Sequence, residues 1–263
     1  MNKTAIKSFA IWARNKLIAS CEQKALMVGI TEDGIADKLA VSTGDTEFYD
    51  IGTSNPYSIS GKVIKQRREL VKVIQSRTEN GDYKSAFHSI MEEVAYTWFN
   101  RLIALRFMEV NGYLKDDMRI LSSVSEGKVE PYAVTSPFDW ELEFTDEERD
   151  YIIQLYNNNE VDELFRLLFI KECNALNVSL PYLFEKTEDY SEFLLSISVT
   201  DVEGVVYKLV HDIPEEDFNI EMGGQVEIIG WLYQYYNTEP KDKVFADLKK
   251  NIKVPKEKIP AAT

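Results

Sequence analysis

Histidine and cysteine are scarce in this chain, which has two of each among its 263 residues. Cys21 and Cys173 lie far apart, and neither is close to a histidine in the sequence, so no zinc-ligand spacing or disulfide pattern is present. His88 and His211 have no partner at ligand spacing either, so we interpret both as core or surface residues. The pattern excludes the common cysteine–histidine metal sites and favours a reduced, cytoplasmic setting.

Long hydrophobic runs are also absent. The longest, such as Leu102 to Leu105, are far shorter than the roughly 20 apolar residues that a membrane-spanning helix needs. The first residues carry charges at Lys3, Lys7 and Arg14 with no apolar block between them, which is not the pattern of a secretory signal. With 44% hydrophobic and 28% charged residues, the composition is typical of a soluble protein with no membrane partner.

Basic residues are outnumbered, and the formal net charge of −14 argues against nucleic acid as a partner of the chain as a whole. The charge is unevenly distributed, however. Residues 1–77 contain 12 Lys and Arg against 8 Asp and Glu, whereas the remainder contains 18 against 36. We therefore expect any phosphate-binding surface to involve the N-terminal third.

Apolar residues recur at helical spacing along most of the chain. Residues 4–20 predict an amphipathic helix with Ile6, Phe9, Ala10, Ala13 and Leu17 on its buried face, capped by Asn2 or Thr4. Residues 83–110 predict a helix that is apolar on two sides, as a central helix of a bundle would be, ending at a left-handed cap at Asn111-Gly112. Other helices are predicted at 62–79, 145–156, 160–175 and 181–184. A further helix is predicted from Val226, with Val226, Ile229, Gly230 and Tyr233 facing inward. The last is predicted from Pro240, with Val244, Phe245 and Leu248 facing inward.

The fold class that follows is mainly α. We predict an irregular multi-helix bundle with minor short strands or loops near 28–60 and 192–213. Residues 1–252 are assigned to one helical domain, and a sub-boundary near 115–145 is left open. Residues 253–263, which are rich in lysine and proline, are assigned to a linker.

The stretch Ser54–Tyr57 reads SNPY, which is close to the Asn-Pro-Pro-Tyr motif of amino-group DNA methyltransferases. In that motif a polar side chain and a carbonyl bind the exocyclic amine of a flipped base, and the aromatic ring stacks on the base. The motif should follow a buried strand and an upstream glycine-rich cofactor loop. Here the second proline is missing and no such loop precedes it, so we interpret the stretch as a turn.

Six cations lie on the polar face of the predicted helix 62–79, opposed only by Glu69. Such a face can bind phosphates and release counterions. The candidate DNA-binding residues are Lys62, Lys65, Arg67, Arg68 and Lys72. The alternative, that the face is solvated or pairs with acidic residues of the same domain, is left open.

No catalytic, cofactor-binding or metal-binding residue is assigned. The acidic run Glu215–Asp217 lacks the spaced oxygen ligands and intervening glycine of a calcium loop, so we interpret it as the solvated start of a helix.

Several stretches carry a family resemblance. Their amino-acid sequences and their order along the chain resemble the N-terminal region of the large BREX-type (bacteriophage exclusion) adenine-specific DNA methyltransferases of the PglX type. The stretches are FAIWARNKLI at 9–18, GITEDGI at 29–35, EEVAYTWFNRLIALRFMEVNGYL at 92–114, HDIPEEDF at 211–218, VEIIGWLYQYYN at 226–237 and KDKVFADLKKNIKVPKEKIPAAT at 241–263.

The resemblance implies a helical N-terminal accessory domain, 1–252, of a site-specific N6-adenine methyltransferase that uses S-adenosylmethionine in phage defence. The cofactor loop and the Asn-Pro-Pro-Tyr motif of that family lie further on than Thr263, so no catalytic or cofactor residue is carried over. The implied partners are the enzyme's own catalytic domain, DNA and other BREX proteins. Two alternatives remain open: a protein-interaction module, and an acidic DNA-mimic inhibitor.

Overall fold

The structure is a computed structural model that describes residues 2–79, 81–125, 128–139 and 142–250. These residues form eleven α-helices and four short strands, which confirms the predicted mainly α fold. In chain order they are α1 (Lys3–Met27), β1 (Ile30–Thr31), β2 (Gly34–Ile35), β3 (Thr46–Tyr49), β4 (Tyr57–Ser60), α2 (Lys62–Thr78), α3 (Tyr83–Val110), α4 (Tyr132–Thr135), α5 (Asp146–Asn157), α6 (Val161–Leu176), α7 (Tyr190–Leu194), α8 (Val205–His211), α9 (Glu215–Phe218), α10 (Glu227–Tyr236) and α11 (Thr238–Lys249).

Helix α1 is longer than predicted at its C-terminal end. Its first turn is capped by Asn2, whose side chain accepts a hydrogen bond from the Ala5 backbone N–H at 3.1 Å. The buried face continues past the predicted positions through Cys21 and Ala25, which are spaced four residues apart. All five predicted core positions are buried: Ile6, Phe9, Ala10, Ala13 and Leu17.

Helix α3 is the centre of the bundle and has the predicted bounds. It packs against α1, α2, α9 and α10, and Trp98, Leu102 and Leu105 are fully buried. Gly112 adopts a φ of 65°, and the Tyr113 N–H bonds the Met108 carbonyl at 2.9 Å, which closes the helix with the predicted left-handed cap. A helix buried on several sides needs an apolar surface all round, which explains its double stripe.

Two antiparallel hairpins occupy the region predicted to hold short strands near 28–60. Strand β1 pairs with β2, and β3 pairs with β4 with Tyr49 opposite Tyr57. Ser54, Asn55 and Pro56 of the predicted turn SNPY lie in the exposed connection between β3 and β4, and Tyr57 is the first residue of β4. The Thr53 hydroxyl donates to the Asn55 carbonyl at 2.7 Å.

The stretch 192–213, all of which the structure describes, contains no strand. Helix α7 ends within it, α8 fills its second half, and a loop joins them. The Asp162 carboxylate holds this loop by accepting hydrogen bonds from the backbone of Val199 and Thr200 and from the hydroxyls of Ser198 and Thr200. Hydrogen bonds from the loop to this side chain satisfy backbone N–H groups that a neighbouring strand would otherwise pair with.

The prediction of which face of α10 points inward was right for Ile229 and Tyr233, which are partly buried against the core, and wrong for Val226 and Gly230. The structure buries Ile228, Leu232 and Tyr236, whereas Val226 is 56% exposed and Gly230 is exposed. Glu227, Gly230 and Gln234 are exposed and recur at helical spacing, so they mark the outer face of this helix, opposite the buried residues. The prediction of a helix at 181–184 was wrong, because those residues form hydrogen-bonded turns. Helix α11 begins two residues before Pro240.

The sub-boundary near 115–145 stays a prediction. Leu114, Met118, Ile120 and Leu121 join the same hydrophobic core as α3. The predicted linker 253–263 and the side chain of Leu248 lie outside what the structure describes. Among the described helices, none combines the length and apolarity needed to cross a membrane.

Candidate nucleic-acid interface

Helix α2 carries all five predicted DNA-binding residues. It forms because Ile64, Leu70 and Ile74 recur at helical spacing and bury one face against the bundle. Arg77, near its end, donates to Glu93 of α3 at 2.6 Å, which fixes the two helices against each other. The structure separates the five predicted residues into three different environments.

Arg67 lies in the interior and is only 8% exposed. Its Nε donates to the Val28 carbonyl and its Nη2 to the Ala36 carbonyl, each at 2.8 Å, and its guanidinium lies 4.1 Å from the ring centre of Tyr49. Burial lowers the pKa of Arg67, and nearby anionic groups oppose that effect. The prediction that Arg67 lies on an exposed basic face and binds DNA was therefore wrong. Its side chain is buried, and its N–H groups donate to backbone carbonyls of the protein.

Lys62 and Arg68 are exposed but paired. The Lys62 ammonium contacts both carboxylate oxygens of Glu192 at 2.7 and 2.9 Å and so links α2 to α7. Arg68 Nη2 donates to Glu47 Oε1 at 3.0 Å. Both side chains remain more than half exposed, at 55% and 59%. For these two residues the structure agrees with the alternative prediction, in which cations of the basic face form ion pairs with acidic residues of the same domain.

Lys65 and Lys72 are exposed, and within the described part of the chain neither has an ion pair or hydrogen bond. They are separated by seven residues, with Arg68 between them, so the three cations share one face of α2. Glu69 is exposed on the same face, four residues after Lys65 and three before Lys72. Of the predicted DNA-binding residues, Lys65, Arg68 and Lys72 are those on this exposed face, and their binding of DNA stays a prediction.

Glu47 is the residue that sequence reasoning missed. It lies on the buried face of β3 with Tyr49, and its side chain is 4% exposed. Its carboxylate accepts hydrogen bonds from the Tyr49 hydroxyl at 2.7 Å and from Lys38 and Arg68 at 3.0 Å each. Burial acts to raise the pKa of Glu47, but these three donors outweigh it and lower the pKa to about 2. The carboxylate is therefore ionised at neutral pH.

The acidic run at 215–217 begins helix α9, as predicted, but two of its three side chains have partners within the protein. Glu215 accepts hydrogen bonds from Arg106 and from both terminal nitrogens of Arg119. Asp217 is 8% exposed and accepts from the Asn2 backbone N–H at 3.1 Å. Both side chains connect α9 to the bundle, although the Glu215 side chain remains 42% exposed. Helical periodicity carries no signal for such long-range pairs.

The histidines behave as structural residues. His88 bridges Glu22 at 3.1 Å and Glu32 at 2.9 Å and is about half exposed. The His211 ring lies 4.3 Å from that of Tyr207. Among the described residues, no group of three or more His, Cys, Asp or Glu side chains is arranged to hold a metal ion.

The comparisons with known proteins identify relatives. No family model matches the chain. The adenine-specific methyltransferase PglX of Lacticaseibacillus casei (strain Zhang) is 45% identical over 269 aligned residues, which cover the whole chain and 22% of that protein. The adenine-specific methyltransferase BrxX of Escherichia coli O9:H4 (strain HS) is 33% identical over 263 residues, which cover the whole chain and 20% of that protein.

The chain thus spans about a fifth of the length of these relatives. Both alignments run through all of its helices, so the likeness extends beyond any single motif. Along its whole length, therefore, this chain is similar to one segment of the adenine-specific methyltransferases of the PglX and BrxX type, which confirms the family resemblance in its sequence.

Proposed function

We propose that this chain is the non-catalytic, N-terminal helical region of a cytoplasmic, site-specific N6-adenine DNA methyltransferase of a BREX phage-defence system. The observation that carries the proposal is 45% identity to PglX across the whole chain at 22% of the length of that protein. We assign S-adenosylmethionine binding and methyl transfer to the remaining four-fifths.

The proposed role of this region is to brace the catalytic domain and to contact DNA. Two features support it. A single hydrophobic core extends from α1 to α10, which gives a rigid support. The exposed cations Lys65, Arg68 and Lys72 lie on one face of α2, where they can neutralise phosphates despite the acidic remainder of the chain.

Calorimetric titration with S-adenosylmethionine tests whether the cofactor site lies outside this chain. We expect no heat of binding for this chain, and binding by full-length PglX of Lacticaseibacillus casei as the positive control. Micromolar binding to this chain would contradict the assignment, because the cofactor site would then lie within these residues.

A second candidate, a protein-interaction module, is favoured by one surface. The segment that follows α6 exposes Val178, Leu180 and Tyr182 at 86%, 39% and 103%. Phe184 is fully buried and anchors this segment. An apolar contact with another BREX protein would survive high salt, unlike a contact between exposed charges. Pull-down in high salt with wild-type chain and a Tyr182→Ser variant tests this role; equal capture by both would exclude this surface.

A further inference from the structure

Lys38 and Arg68 converge on a single oxygen atom. Lys38 Nζ and Arg68 Nη2 each lie 3.0 Å from Glu47 Oε1. The two cationic nitrogens are therefore no farther apart than the length of two hydrogen bonds. Lys38 comes from the loop between β2 and β3 and Arg68 from α2, so the pair joins two separate segments of the chain.

The carboxylate lies beneath the cations. The Glu47 side chain is 4% exposed, whereas those of Lys38 and Arg68 are 49% and 59% exposed. Arg67 lies on the inner side and adds a third positive charge that interacts with Glu47. Asp37 is the other carboxylate that acts on Arg67. One buried anion thus faces cations on both sides. The exposed side of the cluster carries Lys38 and Arg68, with the exposed carboxylates of Asp37 and Glu69 next to them in the sequence.

Most donors of the outer pair remain available. A lysine ammonium has three N–H donors and a guanidinium five. Within the described residues, each of these side chains uses one nitrogen on Glu47 and has no other partner. The remaining N–H groups can bind an oxyanion, and a guanidinium binds phosphate in the bidentate manner that suits its planar fork.

The loop that carries Lys38 is held in place by hydrogen bonds to β3. The Leu39 N–H donates to the Phe48 carbonyl at 2.8 Å, and the Phe48 N–H donates to the Ser42 hydroxyl at 2.9 Å. The Lys38 backbone is therefore fixed before any partner binds. A fixed donor loses less conformational entropy on binding than one on a free loop.

We propose that Lys38 and Arg68, positioned by the buried Glu47, form a two-segment site for a backbone phosphate of duplex DNA, which Lys65 and Lys72 extend along α2. Glu47 is the positioning residue of the site. The proposal rests on the proposed DNA contact of this region and adds to it a loop residue, Lys38, outside the basic helix. The site is proposed to contact the phosphate backbone, and contacts to phosphates position a protein on DNA without reading its sequence.

Fluorescence anisotropy with a labelled DNA duplex, at several salt concentrations, tests the site. Replacing Lys38 by Gln removes one phosphate contact, so we expect the slope of log affinity against log salt to fall by about 0.9 and the affinity to fall roughly three- to tenfold. The matched control is Lys7→Gln, which also removes one exposed charge. Lys7 lies near the start of α1, about 30 Å along the helix from Val28, the residue at its other end that Arg67 contacts. Arg68→Lys keeps the charge, so it should weaken binding with the slope unchanged.

Circular dichroism and thermal unfolding of each variant separate binding from folding. Equal slopes for Lys38→Gln and Lys7→Gln would overturn the site. If Lys65→Glu/Lys72→Glu still weakens binding in that case, the DNA contact of α2 stands and only the two-segment site fails. Should none of these variants differ from wild type, the DNA contact fails as well. Tighter binding of a single-stranded RNA than of the duplex, with the same loss in Lys38→Gln, would overturn duplex DNA as the ligand.

Discussion

The guanidinium of Arg67 lies 4.1 Å from the ring centre of Tyr49 and joins helix α2 to strand β3. The same group donates to the carbonyls of Val28 and Ala36, at the end of α1 and just after β2. One side chain therefore connects α2 to β3 and to the chain just after α1 and just after β2, all within the N-terminal third. Its neighbour Arg68 points outward and pairs with Glu47, so adjacent arginines have separate roles.

Arg67→Lys should destabilise the fold by about 2 kcal/mol, because a lysine cannot donate in two directions while stacking on Tyr49. Urea unfolding followed by circular dichroism measures the loss. Arg68→Lys is the control, and we expect it to cost less than about 1 kcal/mol because its ion pair is largely exposed. Equal losses for the two variants would contradict the separate roles.

Leu102→Ala should cost about 2–5 kcal/mol of unfolding free energy, because Leu102 is fully buried at the centre of α3. Chemical denaturation gives the value directly. Val178→Ala, at a position that is 86% exposed, should change the stability by less than about 0.5 kcal/mol. A loss below about 1 kcal/mol for Leu102→Ala would show that α3 does not form a close-packed centre.

A buried ion pair in α3 gives a third prediction. Arg106 Nη1 donates to Glu109 Oε1 at 2.7 Å, and both side chains are almost completely buried. Arg106→Met leaves a buried carboxylate without its cation and should cost about 3–5 kcal/mol. The double variant Arg106→Met/Glu109→Leu should be more stable than Arg106→Met alone, because it removes that uncompensated charge. A less stable double variant would contradict this explanation.

Glu47 gives the stability a defined pH dependence. Its folded-state pKa, about 2, is below the ordinary value of 4.5. Its stabilising effect is therefore complete above the ordinary value and is lost as the pH falls toward about 2. Glu47→Gln lacks this titration, so the stability difference between wild type and variant should be smaller at about pH 3.5 than at about pH 7. Denaturant unfolding at both values measures it, and a constant difference would contradict the low pKa.

The helices could be predicted from the sequence wherever one face is apolar and the ends carry capping signals. The bounds of α3 and the capping box at Thr145 and Glu148 are both confirmed. The inward face of α10 was predicted only in part, because Val226 and Gly230 were assigned to it although Glu227, Gly230 and Gln234 mark the exposed side. Periodicity locates a helix and its polar face, and the packing of neighbouring elements decides which of the apolar residues are fully buried.

The roles of charged residues were predicted less well, for a related physical reason. Six cations at helical spacing in α2 resemble a uniform basic surface, yet Arg67 is buried and Lys62 is paired with Glu192. Their partners come from β3, α7 and backbone carbonyls that are distant in sequence. Helical spacing reports on neighbours within one helix, so it contains no information about those contacts.

The salt dependence of duplex DNA binding by Lys65→Glu/Lys72→Glu tests the central claim most directly. Both lysines are exposed and have no ion pair in the described part of the chain, so the changes should leave the folded core intact. If this face of α2 contacts the DNA backbone, the variant should bind at least tenfold more weakly, with a salt slope smaller by about 2. An affinity and slope equal to those of the wild type would contradict the account.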